Sequence, residues 1–550
     1  MYRPLIAVFF FLLLVFTVIL VRSPKADLIV VGVIWTGETD RPFVEAMAIK
    51  GDRIMTIGFR DEVMSFSGKN TEIIELGKEL VVPGFIDTHV HFLQGGLNLA
   101  SVQLRDATTP EEFANRIAEF AKSVPPGTWI LGGDWDHENW GGELPHRDWI
   151  DELTKDHPVF VTRLDGHMSL ANSKALALAG VGNDVEDIDG GSIVRESDGR
   201  LTGIFKDNAE RLIQMHIPEP SDYEVDMGLR LAMEYVASHG VTSVHDMNAM
   251  LDGMRRARSN GQQLTRYYGV YSLSRWEMVR DMVNREGNGD EWIRIGGLKG
   301  FVDGSLGSHT AAFHDPYTDA PDYSGFFVNS EEDLYEWTKG ADAVGLQVMI
   351  HAIGDKANGF LLDNFERIIS ENGPRDRRFR IEHAQHIAPE DIHRFSELDV
   401  IASMQPYHAI DDGRWAERVI GSERIKTTYA FHDLIRTGAT VVFGSDWFVA
   451  PPIPLEGIYA AVTRRTLDDR NPDGWVPEQK VTVEEALLAY TRDAAYSSFE
   501  EEIKGTLAPG KLADFVILSE NLFEIDRVNI RDVKVLRTVV GGRTVFGDQY

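Results

Sequence analysis

Two histidines, His89 and His91, stand two positions apart in the stretch GFIDTHVHF, directly after the apolar run Leu80-Val81-Val82. A strand alternates its side chains between two faces, so residues i and i+2 point the same way. Two imidazoles so spaced at the end of a buried strand have the geometry to hold one metal ion between them. Neutral imidazole suits zinc, iron, nickel or copper. A bare His-x-His pair is common by chance, so the rest of the chain has to decide. The sequence contains no cysteine, which restricts any ion to nitrogen and oxygen ligands and excludes a thiol nucleophile and a disulfide framework.

Residue types that ligate metals recur at the ends of further apolar, strand-like runs. Lys299 lies beside glycines in IRIGGLKGFVDG, His351 ends GLQVMI, His383 ends RFRIE and Asp446 ends VVFGS. Other candidate strands are residues 159–165, 240–247, 264–273 and 400–408, and between them run amphipathic segments. Residues 111–124, for example, put Phe113, Ile117, Phe120 and Ala121 on one helical face. Such alternation predicts a parallel α/β architecture, and its length fits an eight-stranded (β/α)8 TIM barrel with insertions. Barrel enzymes carry their active sites at the C-terminal rim, where these scattered residues would converge in one bowl. Residues 129–151 and 180–200 read as loop-rich insertions.

The barrel would span residues 81–499. On either side of it, residues 27–57 read as short strands with a turn at Gly51-Asp52, and residues 513–519 and 535–547 mirror them. They predict a small composite β-sandwich domain built from both chain ends, residues 26–80 with 500–550. Residues 1–25 contain an uncharged run from Leu5 to Val21, flanked by Arg3, Arg22 and Lys25. It predicts an N-terminal hydrophobic anchor helix, with a cleaved signal peptide as the alternative. Either sends the bulk of the chain across a membrane, as a membrane-anchored extracytoplasmic domain or as an exported protein. The net charge of −31 repels phosphates, so nucleic acid is not an expected partner.

The motifs GFIDTHVHF, RLDGHMSLANSKAL, LKGFVDGSLGSHTAAFHDPY, MIHAIGD, RIEHAQ, SMQPYH, VVFGSDW and GTLAPGKLADFVIL together resemble the amidohydrolase superfamily. The resemblance is to the amidohydrolase-3 branch, which includes N-substituted formamide deformylases, and covers nearly everything after the N-terminal segment. It implies that His89, His91 and Asp446 bind one divalent ion and that His351 and His383 bind a second. Lys299 matches the lysine that is carboxylated in binuclear members and bridges both ions. The implied cofactor is two zinc ions, with a single ion as the alternative. The implied activity is hydrolysis of a non-peptide carbon–nitrogen bond, an amide or formamide of a small organic molecule, by a metal-activated hydroxide. The alternatives are a cyclic amidine deaminase on the same scaffold and a non-catalytic binding protein. Asp446 is the candidate to move the proton, and His167 to contact the substrate or its oxyanion. Asp303 and Glu382 are candidates to orient ligands, and Gln385 and Tyr407 to line the pocket. His309 stands where many relatives carry an arginine. Trp129, Trp135 and Trp140 read either as an aromatic wall over the site or as a separate hydrophobic cluster. Expected partners are a small-molecule substrate, a membrane through residues 5–21, and further copies of the chain in a homo-oligomer.

Overall fold

The computed structural model describes residues 24–547; the expected anchor at residues 5–21 lies outside them. Among the described residues no helix is long and apolar enough to cross a membrane. At the centre run eight strands, numbered here in chain order as β1 (Phe85–Val90), β2 (Val241–Asp246), β3 (Arg266–Ser272), β4 (Ile293–Phe301), β5 (Gln347–Ala352), β6 (Arg380–His383), β7 (Ile401–Met404) and β8 (Val441–Phe443). Each pairs in parallel with the next. The ends of this sheet meet where Val90 bridges Trp447 and the Asp446 N–H donates to the His89 carbonyl at 2.7 Å. The result is a nearly closed barrel. Parallel strands with both faces covered have no polar side to show, which is why β2, β5 and β6 are buried along their whole length.

Helices cover the outside because their apolar residues recur at three- and four-residue spacing. In Asp222–Ser238 the buried set is Val225, Leu229, Met233 and Val236, among others, and Ser221 and Glu224 close the N-terminus as a reciprocal capping box. Asp355–Asn372 does the same between β5 and β6 with Leu361, Leu362, Phe365 and Ile368.

The two chain ends meet in one connected seven-stranded sheet. Glu72–Pro83 is its hinge strand, parallel to Leu28–Trp35 and antiparallel to Phe515–Leu518. The strands of both chain ends are connected in this sheet and pack Leu28, Val30, Met47, Phe515 and Ile517 into one core, as expected of a composite β domain. One boundary is corrected. The run Leu80-Val81-Val82 belongs to this sheet, and the barrel starts only after Gly84. A Cβ on Gly84 would lie 2.3 Å from the Thr242 hydroxyl, so the crossing between the two sheets leaves no room for a side chain.

A third sheet is inserted between β1 and β2. Its order is Gly191–Arg195, Leu201–Asp207, Met168–Ala171, Val159–Arg163, Ile130–Trp135 and Val102–Gln103. Residues 159–165, expected as a barrel strand, therefore pair elsewhere: Val159–Arg163 lies parallel to Ile130–Trp135. An apolar run of that length has no local signal for which sheet it joins. The helix expected at residues 111–124 is Pro110–Ser123, capped by the Thr109 side chain. It packs Phe113 and Ile117 with Trp135, Val161, Leu170 and Ile204 in a core separate from that of the barrel.

Candidate active site

His89 is fully buried near the end of β1, and His91 follows just beyond the strand. Their Nε2 atoms lie 3.4 and 3.3 Å from the same oxygen, Asp446 Oδ1. That oxygen is buried and has no hydrogen-bond partner among the described residues. His383 joins them from the end of β6: ligand atoms of His89, His383 and Asp446 all lie within 4.8 Å of one another. The His351 ring, at the end of β5, is 4.4 Å from that of His383, centre to centre. Asp446 and His383 both have φ in the left-handed region, +59° and +75°. Side-chain-bearing residues resist that conformation by roughly 1–2 kcal/mol each, and such strain concentrates at functional sites.

Outer partners fix the rings. Glu382, itself paired with Arg380 Nε at 2.7 Å, accepts from His89 Nδ1–H at 2.5 Å, leaving the Nε2 lone pair facing inward. Gln405 Oε1 accepts from His383 Nδ1–H at 2.8 Å, and the Gly304 carbonyl accepts from His351 Nε2–H at 3.0 Å. Burial depresses the pKa of His89 to about 4, with the Lys299 cation adding to the effect. Burial also holds His351 and His383 well below the ordinary imidazole value. Neutral rings offer lone pairs, the form that metals bind. Asp446 stays ionised: burial opposes this, but the facing His89, His91 and His383 rings hold its pKa well below the usual carboxylate range.

Lys299, buried in β4, donates to His89 Nε2 at 3.0 Å, and burial lowers its pKa to about 8. Asp303 is buried too but is not a direct partner of a histidine: its carboxylate is 3.6 Å from His351 Nε2. It accepts instead from the backbone N–H groups of Ala312, Ile353 and Gly354, at 2.8–2.9 Å. It thus ties the loop after β4 to the loop after β5. Burial raises its pKa to about 7 in spite of those three bonds.

A cavity opens onto this cluster, lined by His351, His383, Gln385 and Asp446 from the barrel and by Arg163, Asp165 and His167 from the inserted sheet. The His167 Nδ1–H donates to Asp207 Oδ1 at 2.6 Å. Burial alone would depress the His167 pKa, but the carboxylates of Asp207, Asp165 and Glu210 raise it to about 9, so the ring is a cation. Sequence reasoning missed Arg163, Asp165 and Asp207. The available signal was an Arg and an Asp inside the apolar run VFVTRLD. Buried charges persist only when paired, and Arg163 meets Asp165 at 2.6 Å and Asp136 at 3.1 Å.

Gln385 lines the cavity and donates to Asp412 Oδ2 at 2.8 Å. Tyr407 does not line it but packs against the barrel core, while its neighbour His408 does line it. Helical geometry after Pro406 decides which of two adjacent side chains faces inward, and the sequence carries no signal for that phase. Trp135 and Trp140 belong to the separate core of the inserted sheet, Trp129 packs on a further cluster there, and Trp415 is the indole on the cavity wall. His309 pairs with Asp319 at 3.1 Å outside the cavity lining.

Neutral imidazoles and an ionised, unsatisfied carboxylate, gathered at the C-terminal rim of a parallel barrel, define the class of metal-dependent hydrolase barrels. The comparisons agree: residues 72–546 match the amidohydrolase family, and the chain belongs to that family. It is 40% identical over 537 residues to Protein LONG AFTER FAR-RED 3 of Arabidopsis thaliana, covering 95% of this chain and 92% of that one. N-substituted formamide deformylase of Arthrobacter pascens is 26% identical, covering 90% and 94%. The crystal structure of an uncharacterized metal-dependent hydrolase from Pyrococcus horikoshii OT3 superposes with a TM-score of 0.73 at 28% identity, covering 91% of this chain and 99% of that one.

Proposed function

We propose that this amidohydrolase cleaves a non-peptide carbon–nitrogen bond in a small, neutral amide or formamide. The observation that carries the reading is the buried Asp446 Oδ1, unpartnered among inward-facing neutral imidazoles on the floor of a cavity. That donor set fits a divalent ion, and the all nitrogen and oxygen chemistry fits zinc. His89, His91 and Asp446 would hold one ion. His351 and His383 would hold a second, with Lys299 between them as a carbamate. Its depressed pKa supplies the free amine that carboxylation requires. When bound, such ions acidify water and polarise a carbonyl.

The chain's own residues do the rest. The Asp446 carboxylate takes the proton of the attacking water and returns it to the departing nitrogen. The Asp207-held His167 cation presents its remaining N–H to the carbonyl oxygen as negative charge develops there. Charge pairing on the wall favours a neutral substrate. Arg163 is bound to Asp136 and Asp165, and Arg414 to Asp136 and Asp411. Neither guanidinium is free to take the terminal carboxylate of a peptide.

The test is a hydrolysis screen over formamides, acyl amides, cyclic amidines and dipeptides, with metal content measured in parallel. Chelator-sensitive cleavage of the first two groups is expected. Preference for amidines would favour deamination instead. Less than one ion per chain after expression with zinc, with no hydrolysis, would sink the enzyme reading. The uncharged segment at residues 5–21 supports membrane attachment or export, which cell fractionation with and without that segment checks.

A further inference from the structure

His408 lies on the wall of the same cavity as His351, His383 and Asp446. Its Nε2 atom is buried and has no hydrogen-bond partner among the described residues. Buried polar atoms in folded proteins are paired with few exceptions, because an unmet donor or acceptor costs about 1–3 kcal/mol. The cavity holds a second exception, Asp446 Oδ1, whose unused valence faces the metal ligands. His408 has no such role: no ligand cluster includes it among the described residues.

The local chain fixes where this ring sits. β7 ends at Met404, and the ring of Pro406 starts the helix Pro406–Asp412 at its first position. His408 is thereby held on the rim between His383 of β6 and Asp446 after β8. Other polar groups of that helix are already engaged. Asp412 accepts from Gln385 at 2.8 Å and from the Tyr429 hydroxyl at 2.6 Å, and Asp411 pairs with Arg414. Their satisfaction sets the unpaired His408 nitrogen apart from general looseness of the wall.

We propose that His408 Nε2 hydrogen-bonds the substrate at its amide group, on the β7 side of the metal cluster. The proposal rests on the amidohydrolase reading and assigns a substrate-contacting residue to it. A packing histidine and a substrate-binding one respond oppositely to replacement. Removing a polar atom that is unpaired in the free protein relieves a desolvation cost, whereas removing a structural partner destabilises the fold.

The experiment compares His408→Leu, which deletes the nitrogen, with His408→Gln, whose amide reaches about the same position. Each zinc-loaded full-length protein is assayed for metal content, Tm and the dissociation constant of acetohydroxamic acid, a small amide analogue that chelates zinc and keeps the amide C=O and N–H. For the best substrate of the screen, kcat/KM is added. In His408→Leu, metal content should be unchanged and Tm equal or higher. Acetohydroxamic acid binding and kcat/KM should each fall about tenfold, the loss of one hydrogen bond. His408→Gln should recover most of both. Equal probe binding in all three proteins, no probe binding by the wild type, or a lowered Tm in His408→Leu with no recovery of binding in His408→Gln would overturn the assignment. If no amide is cleaved by the wild type, the amidohydrolase reading fails on its own, and the probe and Tm measurements still decide His408.

Discussion

At the residue scale, the site depends on proton positions set by second partners. Glu382 fixes His89 with its proton on Nδ1, and Arg380 fixes Glu382 in turn. Replacing Glu382 with Gln weakens the acceptor and frees the imidazole to rotate. Metal affinity should fall about 10- to 100-fold, as is usual when a ligand's outer partner is lost, and titration with a chromogenic chelator measures it. Lys299 makes a sharper test. Its amine is buried against His89, and its pKa near 8 leaves part of it uncharged at neutral pH. Lys299→Ala should lose most activity and about one ion per chain. Short carboxylic acids should restore part of that activity if a carbamate normally bridges the ions, and unchanged activity in the variant would refute the bridging role.

The inserted sheet shows the same logic at the scale of an element. It carries His167 to the cavity wall and sets Asp207 and Glu210 beside it as one buried group of titratable side chains. Burial pushes the Glu210 pKa up from 4.5 to about 8, with the Ser169 hydroxyl opposing the shift. The His167 pKa is raised from 6.5 to about 9. Both folded values lie above the unfolded ones, so both contributions to stability are full at low pH and are lost as pH rises. Glu210 loses its share between about pH 4.5 and 8, and His167 between about 6.5 and 9. These two contributions, read as the difference in urea-unfolding stability between wild type and variant, should therefore decline from mildly acid to alkaline pH. The difference for Glu210→Gln should fall over the lower part of that range and that for His167→Gln over the upper part; parallel curves for wild type and variants would contradict the assignment. These contacts were only partly legible in the sequence. The motif RLDGHMSL pointed to His167, but Asp207 is forty residues further on and reaches it only through the pairing of Leu201–Asp207 with Met168–Ala171.

Across the whole molecule, the barrel and the sheet from the chain ends are locked by buried charge. Arg266 of β3 pairs with Asp514 at 2.6 Å, both nearly inaccessible, and Asp514 also accepts from the Gly541 N–H. Asp514→Ala would strand a buried guanidinium and should cost about 3–5 kcal/mol. Denaturant unfolding measures it, and a cost below 1 kcal/mol would show that the two sheets hold together without the pair. The sequence by itself determined the ligand types and the apolar runs that end in them, because a fully covered parallel strand has to be apolar and a rim ligand has to follow it. That was enough to expect a barrel and to list His89, His91, Lys299, His351, His383 and Asp446. Tertiary structure alone decided which sheet residues 159–163 and 80–82 join, since similar apolar runs serve either. It also decided that His408 rather than Tyr407 faces the cavity, and that Arg163 pairs with both Asp136 and Asp165 there. Such pairings are set by distances in space between residues far apart in the chain, and local pattern does not encode them.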